Sequence, residues 1–359
     1  MRLLAFALAM LLAISREHVS NEAVAAPPDL KLVPADARWL VLVDVDRIRT
    51  AAGWGQAHEK FWAQNAAALD PVLDVLGINL KDGLHSVTLY ATQIAESKHP
   101  EDFRGAAIIS VDFDLVMINA QLQLLAADDP TLYGPHRIYR WNVGGRKGAQ
   151  QSLCTALHHT QAIVVANSID EARRALDVLD GEEPNITQSE SSLASAVPAG
   201  TLLLARGLDV DKVAGDLASP LLKQCRSLSL AVGQNNEQSF AEGQASLKSV
   251  ETAEQIEALV NGYRALVQLQ SEPIDAARCL SRLQCVRSDK LVTLSLRLPN
   301  DELPALLKSA AGLDVDVKAT ATVTVETKVT AEKAEAEKPA KKKRPVKKKP
   351  ATTTDKIDE

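Results

Sequence analysis

The strongest constraint on this chain is that it repeats itself. Val33-Pro34-Ala35 leads into the apolar run Trp39 to Val43 and then into Asp44-Val45-Asp46-Arg47-Ile48. Val197-Pro198-Ala199 leads in the same way into Leu202-Leu203-Leu204 and then Asp209-Val210-Asp211-Lys212-Val213. Ser86-Val87-Thr88-Leu89 is matched by Ser227-Leu228-Ser229-Leu230, and Phe103 and Gly105 find partners in Phe240 and Gly243. Cys154 to Leu176 aligns without gaps onto Cys285 to Leu307, at a constant offset of 131 residues. Matches that keep their order in both halves predict a tandem duplication. Whatever the fold is, it must be one that can be built twice.

Local patterns describe the unit. Trp39 to Val45 reads as a buried strand closed by an acid, and residues 46–76 hold helical stretches broken by Gly53, Gly55 and Pro71. Two strands follow, at Ser86 to Tyr90 and Ala106 to Val111, joined by a polar hairpin between residues 92 and 103. Leu115 to Ala126 has helical spacing, His136 to Val143 and Ala162 to Ala166 are further strands, and Ile169 to Leu179 is an amphipathic helix capped by Ser168 or Asp170. The second half predicts strands at 201–206, 226–233, 239–248, 279–286 and 291–298, with helices at 209–223, 251–269 and 301–310. The order β-α-β-β-α-β is the split βαβ pattern. The expected fold is therefore α+β: a tandem repeat of two ferredoxin-like units with antiparallel sheets, at 30–180 and 197–311. A polar, turn-rich linker at 181–196 joins them. A doubly wound α/β fold competes, but the hairpin argues against it.

Both ends of the chain differ from this body. Arg2 precedes an uncharged apolar run from Leu3 to Ile14, and Ala23-Val24-Ala25 offers a small-x-small cleavage site, so residues 1–25 read as a signal peptide. The run is too short for a comfortable span, though an uncleaved leader anchored in the inner membrane is the alternative. The expected location is exported, periplasmic or extracellular. No Cys follows the run, which excludes lipoprotein attachment. From Gly312 the composition changes. Residues 331–359 hold ten basic and six acidic side chains in a chain whose net charge is −6, and residues 312–359 are expected to form a disordered, low-complexity tail. Lys341, Lys342, Lys343, Arg344, Lys347, Lys348 and Lys349 form a basic block suited to an anionic envelope surface, with no specific nucleic acid implied. At 46% hydrophobic and 4% aromatic over 359 residues, the composition supports real cores. It excludes collagen-like, disulfide-dense and multi-span membrane classes.

Candidate chemistry is sparse. Asp44, Asp46, Asp112 and Asp114 stand where strands end and helices begin. In a ferredoxin-like sheet the two junctions would be adjacent, and four carboxylates could hold Mg²⁺ or Ca²⁺, or a two-metal centre for phosphoryl chemistry. Helix capping explains the same residues without a ligand, so a divalent cation is the one cofactor to keep in view and none is otherwise expected. Cys154, His158 and His159 do not make a zinc spacing, and the adjacent histidines read as an exposed turn. Gly-x-Ser-x-Gly, Ser-x-x-Lys and His-Glu-x-x-His are all missing. Gly144-Gly145-Arg146-Lys147-Gly148 lacks Walker spacing and reads as a hairpin turn. Cys154 and Cys285, at equivalent repeat positions, read as core thiols, leaving Cys225 and Cys279 as the candidate disulfide. Trp54, Phe61 and Trp62 read as core anchors rather than a stacking platform.

The leader, Leu32-Val33-Pro34-Ala35-Asp36, the strand after it and Asp44-Val45-Asp46 together resemble an uncharacterised group of bacterial secreted proteins. These have a signal peptide and duplicated α+β units. The resemblance spans residues 30–310 and implies export and duplication, with no activity or catalytic residue to carry over. The expectation is a non-catalytic exported binding or structural protein of the bacterial envelope. Its rivals are a metal-dependent hydrolase or nucleotide enzyme using the Asp cluster, and an adhesin that holds anionic envelope polymer through its polybasic tail.

Overall fold

The computed structural model describes residues 29–52, 80–93, 103–144, 150–159, 161–213, 222–235, 238–268, 281–300 and 302. The leader, Trp54, Phe61, Trp62, Cys279 and the tail lie outside the described residues. The chain divides into Met1–Ala321, which holds every described residue, and Thr322–Glu359.

The first half contributes β1 (Trp39–Asp44), α1 (Val45–Thr50), α2 (Leu80–Gly83), β2 (Leu84–Gln93), β3 (Arg104–Val111), α3 (Leu115–Leu125), β4 (Thr131–Tyr133), β5 (His136–Gly144), β6 (Gln150–His158), β7 (Ala162–Ala166) and α4 (Ile169–Asp180). The second contributes β8 (Thr201–Leu208), α5 (Val210–Val213), β9 (Cys225–Gln234), β10 (Gln238–Leu247), α6 (Val250–Gln268), β11 (Gln284–Ser288) and β12 (Leu291–Pro299). All twelve strands join one antiparallel sheet in the order β11-β12-β10-β9-β8-β1-β2-β3-β7-β6-β5-β4.

That order corrects the expected strand pairing. A split βαβ unit places its first and third strands side by side, but here β1 pairs with β2, β2 with β3 and β3 with β7. The free edge of β1 is taken by β8, with Val41 opposite Ala205 at the centre of the pairing. The reason lies in the strands themselves. β1 buries four consecutive residues and β8 opens with four more, so each is apolar on both faces and needs neighbours on both edges. Two separate sheets would have left those edges open. Reading outward from the β1–β8 seam, β2-β3-β7-β6 on one side corresponds in order to β9-β10-β12-β11 on the other, with β5 and β4 added beyond β6.

Side chains alternate across the sheet. Leu40, Leu42, Tyr90, Ile108, Val164 and Leu204 face α4, which seals them with Ala172, Ala175 and Leu176. Leu30 completes that cover together with Ile186 and Leu193 from the segment between the two halves. On the opposite face, Val41, Val43, Leu89 and Ala107 lie under α1 and α3, through Ile48, Ile118 and Leu122. The same alternation carried across the seam puts α6 on this face too, where Ala253 packs with Cys225, Leu247 and Val292. Helix ends follow local chemistry. The Ser168 hydroxyl accepts from the Glu171 amide to start α4, and Gly181, at φ 79°, ends it in a left-handed conformation that costs glycine little.

Candidate functional site

The four aspartates separate into two kinds. Asp44 caps α1, its Oδ1 accepting from the Arg47 amide at 2.9 Å, with Arg47 Nε 3.5 Å from Oδ2. Burial pushes the Asp44 carboxyl up, against the Arg47 amide and guanidinium that favour its charge. Asp114 caps α3, accepting from the amides of Val116 and Met117, each at 2.9 Å. The other two meet at a histidine that the sequence patterns did not single out. His85 places Nδ1 2.9 Å from Asp46 Oδ2 and Nε2 3.2 Å from Asp112 Oδ1. Asp46 also accepts from Arg49 Nη1 at 2.7 Å. The structure thus brings Asp46 and Asp112 to opposite ends of one imidazole, while Asp44 and Asp114 turn to helix amides. At the corresponding junction of the second half, Asp211 pairs with Lys248 Nζ at 2.9 Å.

Burial opposes the charged form of His85, but the hydrogen bonds to Asp112 and Asp46 outweigh it and raise its pKa above 6.5. A raised folded pKa stabilises the protein below the unfolded value, and that stabilisation is lost as pH rises through the folded one. Wild-type protein is therefore expected to lose melting temperature as the pH rises above about 6.5, and the His85→Gln variant to lose less. With the His85 side chain 38% exposed, solvent screening limits the difference to under about 1 kcal/mol. Parallel melting curves for the two proteins would contradict this role.

A second cluster is buried. His136 on β5 and His158 on β6 lie just beyond the Ile138–Ala156 pair of the ladder and, like those two residues, point to the α4 side of the sheet. His136 Nε2 lies 2.8 Å from Asp180 Oδ2, and His158 Nε2 lies 3.0 Å from Asp180 Oδ1. The two rings are 6% and 1% exposed. Burial lowers the His158 pKa, outweighing the Asp180 hydrogen bond. The Asp180 carboxyl, despite partial desolvation, is held below its usual range by hydrogen bonds to both histidines. The expected exposed turn is thus half right: His159 is exposed beyond the end of β6, but His158 is inside it. The signal available in sequence was the alternation of Cys154, Ala156 and His158 on one face of a strand.

The rest of the expected chemistry is quickly placed. Cys154 is buried under α4, Cys285 is half-buried beside α6, and Cys225 is buried on β9, away from solvent. A polar cleft of about 350 Å³ lies at the N-terminal end of α4. Its walls include Glu171, Arg104 and the Asp36–Arg174 ion pair at 2.9 Å. The helices on the opposite face carry an outward apolar surface. On α3, Leu115, Val116, Met117 and Leu124 are 47, 82, 42 and 79% exposed, and on α6, Leu259, Tyr263 and Leu266 are 68, 54 and 62% exposed. Among the described residues, no helix is long and apolar enough to cross a membrane.

No protein-family model and no curated protein matches the chain. Among solved structures it is similar to TP0453, of Treponema. In crystal form III the TM-score is 0.38 at 8% identity, covering 80% of this chain and all of that one. Crystal form I gives 0.38 at 8% over 79% of this chain and 98% of that one, and crystal form IV gives 0.37 at 8% over 79% and 97%. Likeness at this level carries no argument about what this chain does.

Proposed function

We propose that the chain is a non-catalytic, exported binding protein of the bacterial envelope, engaging its partner through the outer faces of α3 and α6. The observation that carries this reading is the pair of exposed apolar helix surfaces on the same side of the sheet. Several large apolar side chains left exposed on the outer face of one helix mark a place where something binds. The two helices follow β3 and β10, strands that correspond across the seam, which supports the reading of two copies of one unit. Export rests on the leader. The hydrolase reading is less well supported, because Asp44 and Asp114 are committed to helix amides and Asp46 and Asp112 to His85.

The test is co-sedimentation of the mature protein with isolated envelope at high salt. Val116→Glu with Leu124→Glu on α3, or Leu259→Glu with Leu266→Glu on α6, is expected to weaken retention at least about tenfold, because each pair desolvates charge on binding. These positions are exposed, so folding should be unchanged by circular dichroism. Full retention by both variants would overturn the proposal. Loss on deleting residues 331–359, seen only at low salt, would instead support the polybasic adhesin.

A further inference from the structure

We propose that His136, His158 and Asp180 form a binding site for a first-row divalent transition ion of the Zn²⁺ class. One ligand atom from each of the three residues lies within 4.8 Å of the other two, and both imidazole Nε2 atoms aim at the two oxygens of one carboxylate. Two histidines and one carboxylate are a ligand set that such ions accept, and the pair of nitrogens disfavours Mg²⁺ and Ca²⁺, which take oxygen.

Three independent features favour a cation there. The rings are almost fully buried while Asp180 keeps 24% of its side chain exposed, so the ligands are held and one side is open for an ion to enter. Asp180 is the last residue of α4, a twelve-residue helix with no basic side chain in its last turn. The backbone carbonyls of a helix C-terminus carry partial negative charge, which opposes a carboxylate and attracts a cation. Asp177, also in that last turn, adds a second acid, which accepts from the Tyr133 hydroxyl at 2.8 Å. Finally, the positions are fixed by architecture. The histidines lie just beyond the Ile138–Ala156 pair on neighbouring strands, with ring centroids 5.4 Å apart, and the His159 ring leans on His158 at 4.1 Å with its plane tilted by 42°. A bound ion would take an Nε2 lone pair from each ring, with the ring proton on Nδ1.

The site goes beyond the partner-binding reading and does not depend on it. The test is titration of untagged, metal-free full-length protein with Co²⁺, followed by visible absorbance, then competition with Zn²⁺ and with excess Mg²⁺. One Co²⁺ per chain is expected, displaced by Zn²⁺ and unaffected by Mg²⁺. Asp180→Asn and His136→Gln should each weaken binding by more than the about 10–100-fold typical of losing a residue outside the ligand set. Asp180→Asn keeps the side-chain volume at a partly exposed position, so its metal-free melting curve separates ligand loss from misfolding. No Co²⁺ binding by the wild type, or equal affinity in both folded variants, would overturn the site.

Discussion

Replacing Leu204 by alanine is expected to lower the stability of both halves of the sheet together, in one transition. Leu204 is fully buried on β8, directly opposite Leu42 of β1 and Ala231 of β9, and it packs into the core beneath α4. Removing a leucine side chain from such a site costs about 2–5 kcal/mol, the lost burial plus the cavity left behind. In a body of this size that corresponds to a fall in melting temperature of about 5–15 °C. The informative part is the shape of the curve. Leu204 belongs to the second half by sequence, yet the cluster it joins contains Leu40, Tyr90, Ile108 and Val164 from the first. Tryptophan fluorescence, which comes from Trp39, Trp54, Trp62 and Trp141, all in the first half, should therefore shift at the same lowered temperature as the circular dichroism of the whole chain. A first half that melts at the wild-type temperature would show that the seam is not a cooperative interface.

The second large effect is expected at Arg206. This side chain is 6% exposed, yet its guanidinium bonds to backbone carbonyls: Nη1 to Leu193 at 2.7 Å and Ser195 at 2.6 Å, and Nη2 to Ala196 at 2.9 Å. Burial lowers the Arg206 pKa from its ordinary value, which marks the cost of desolvating the charge. The three carbonyls compensate, and in doing so they pin residues 193–196 to the sheet. Arg206→Ala would leave those acceptors without this donor and remove the stem that packs beside them, costing about 2–4 kcal/mol. Arg206→Lys should recover only part, because an ammonium lacks the planar fork that reaches several carbonyls at once. The check is equilibrium unfolding in urea together with limited proteolysis. Cleavage between residues 185 and 197 should appear in Arg206→Ala and be absent from the wild type. A stable, uncleaved variant would show that the segment is held by Ile186 and Leu193 alone.

Much of the fold was legible in the sequence, because apolar periodicity reports which face an element buries. β1, β3, β7, β8, β10, α3 and α4 lie close to where their patterns put them. What periodicity cannot report is which strand sits beside which. Leu40 to Val43 are buried on both faces, and that already signals a central strand, but nothing local says that its second neighbour is Ala205 rather than Val111. The ferredoxin-like expectation failed on that point. β6 was legible only through the repeat, which puts Cys154 on a strand at the position equivalent to Cys285; its polar Gln150-Gln151-Ser152 start hides its bounds, and His158 proves to belong to the strand and not to the turn.

The candidate sites divide along the same line. Capping by Asp44 and Asp114 was readable, because an acid just before a helix has a local partner in the next turn. His85 between Asp46 and Asp112 was not, because it depends on β1, β2 and β3 lying side by side. His136, His158 and Asp180 come from two strands and a helix end, 22 and 44 residues apart along the chain. No sequence spacing announces a site assembled that way.

The central claim about the fold is that both halves of the chain share one sheet across the β1–β8 seam, and hydrogen exchange measured by mass spectrometry tests it most directly. Peptides covering residues 39–44 and 201–208 should exchange as slowly as any in the chain, and at the same rate as each other. Fast exchange in either peptide, as for an open edge strand, or separate opening of the two halves, would contradict it.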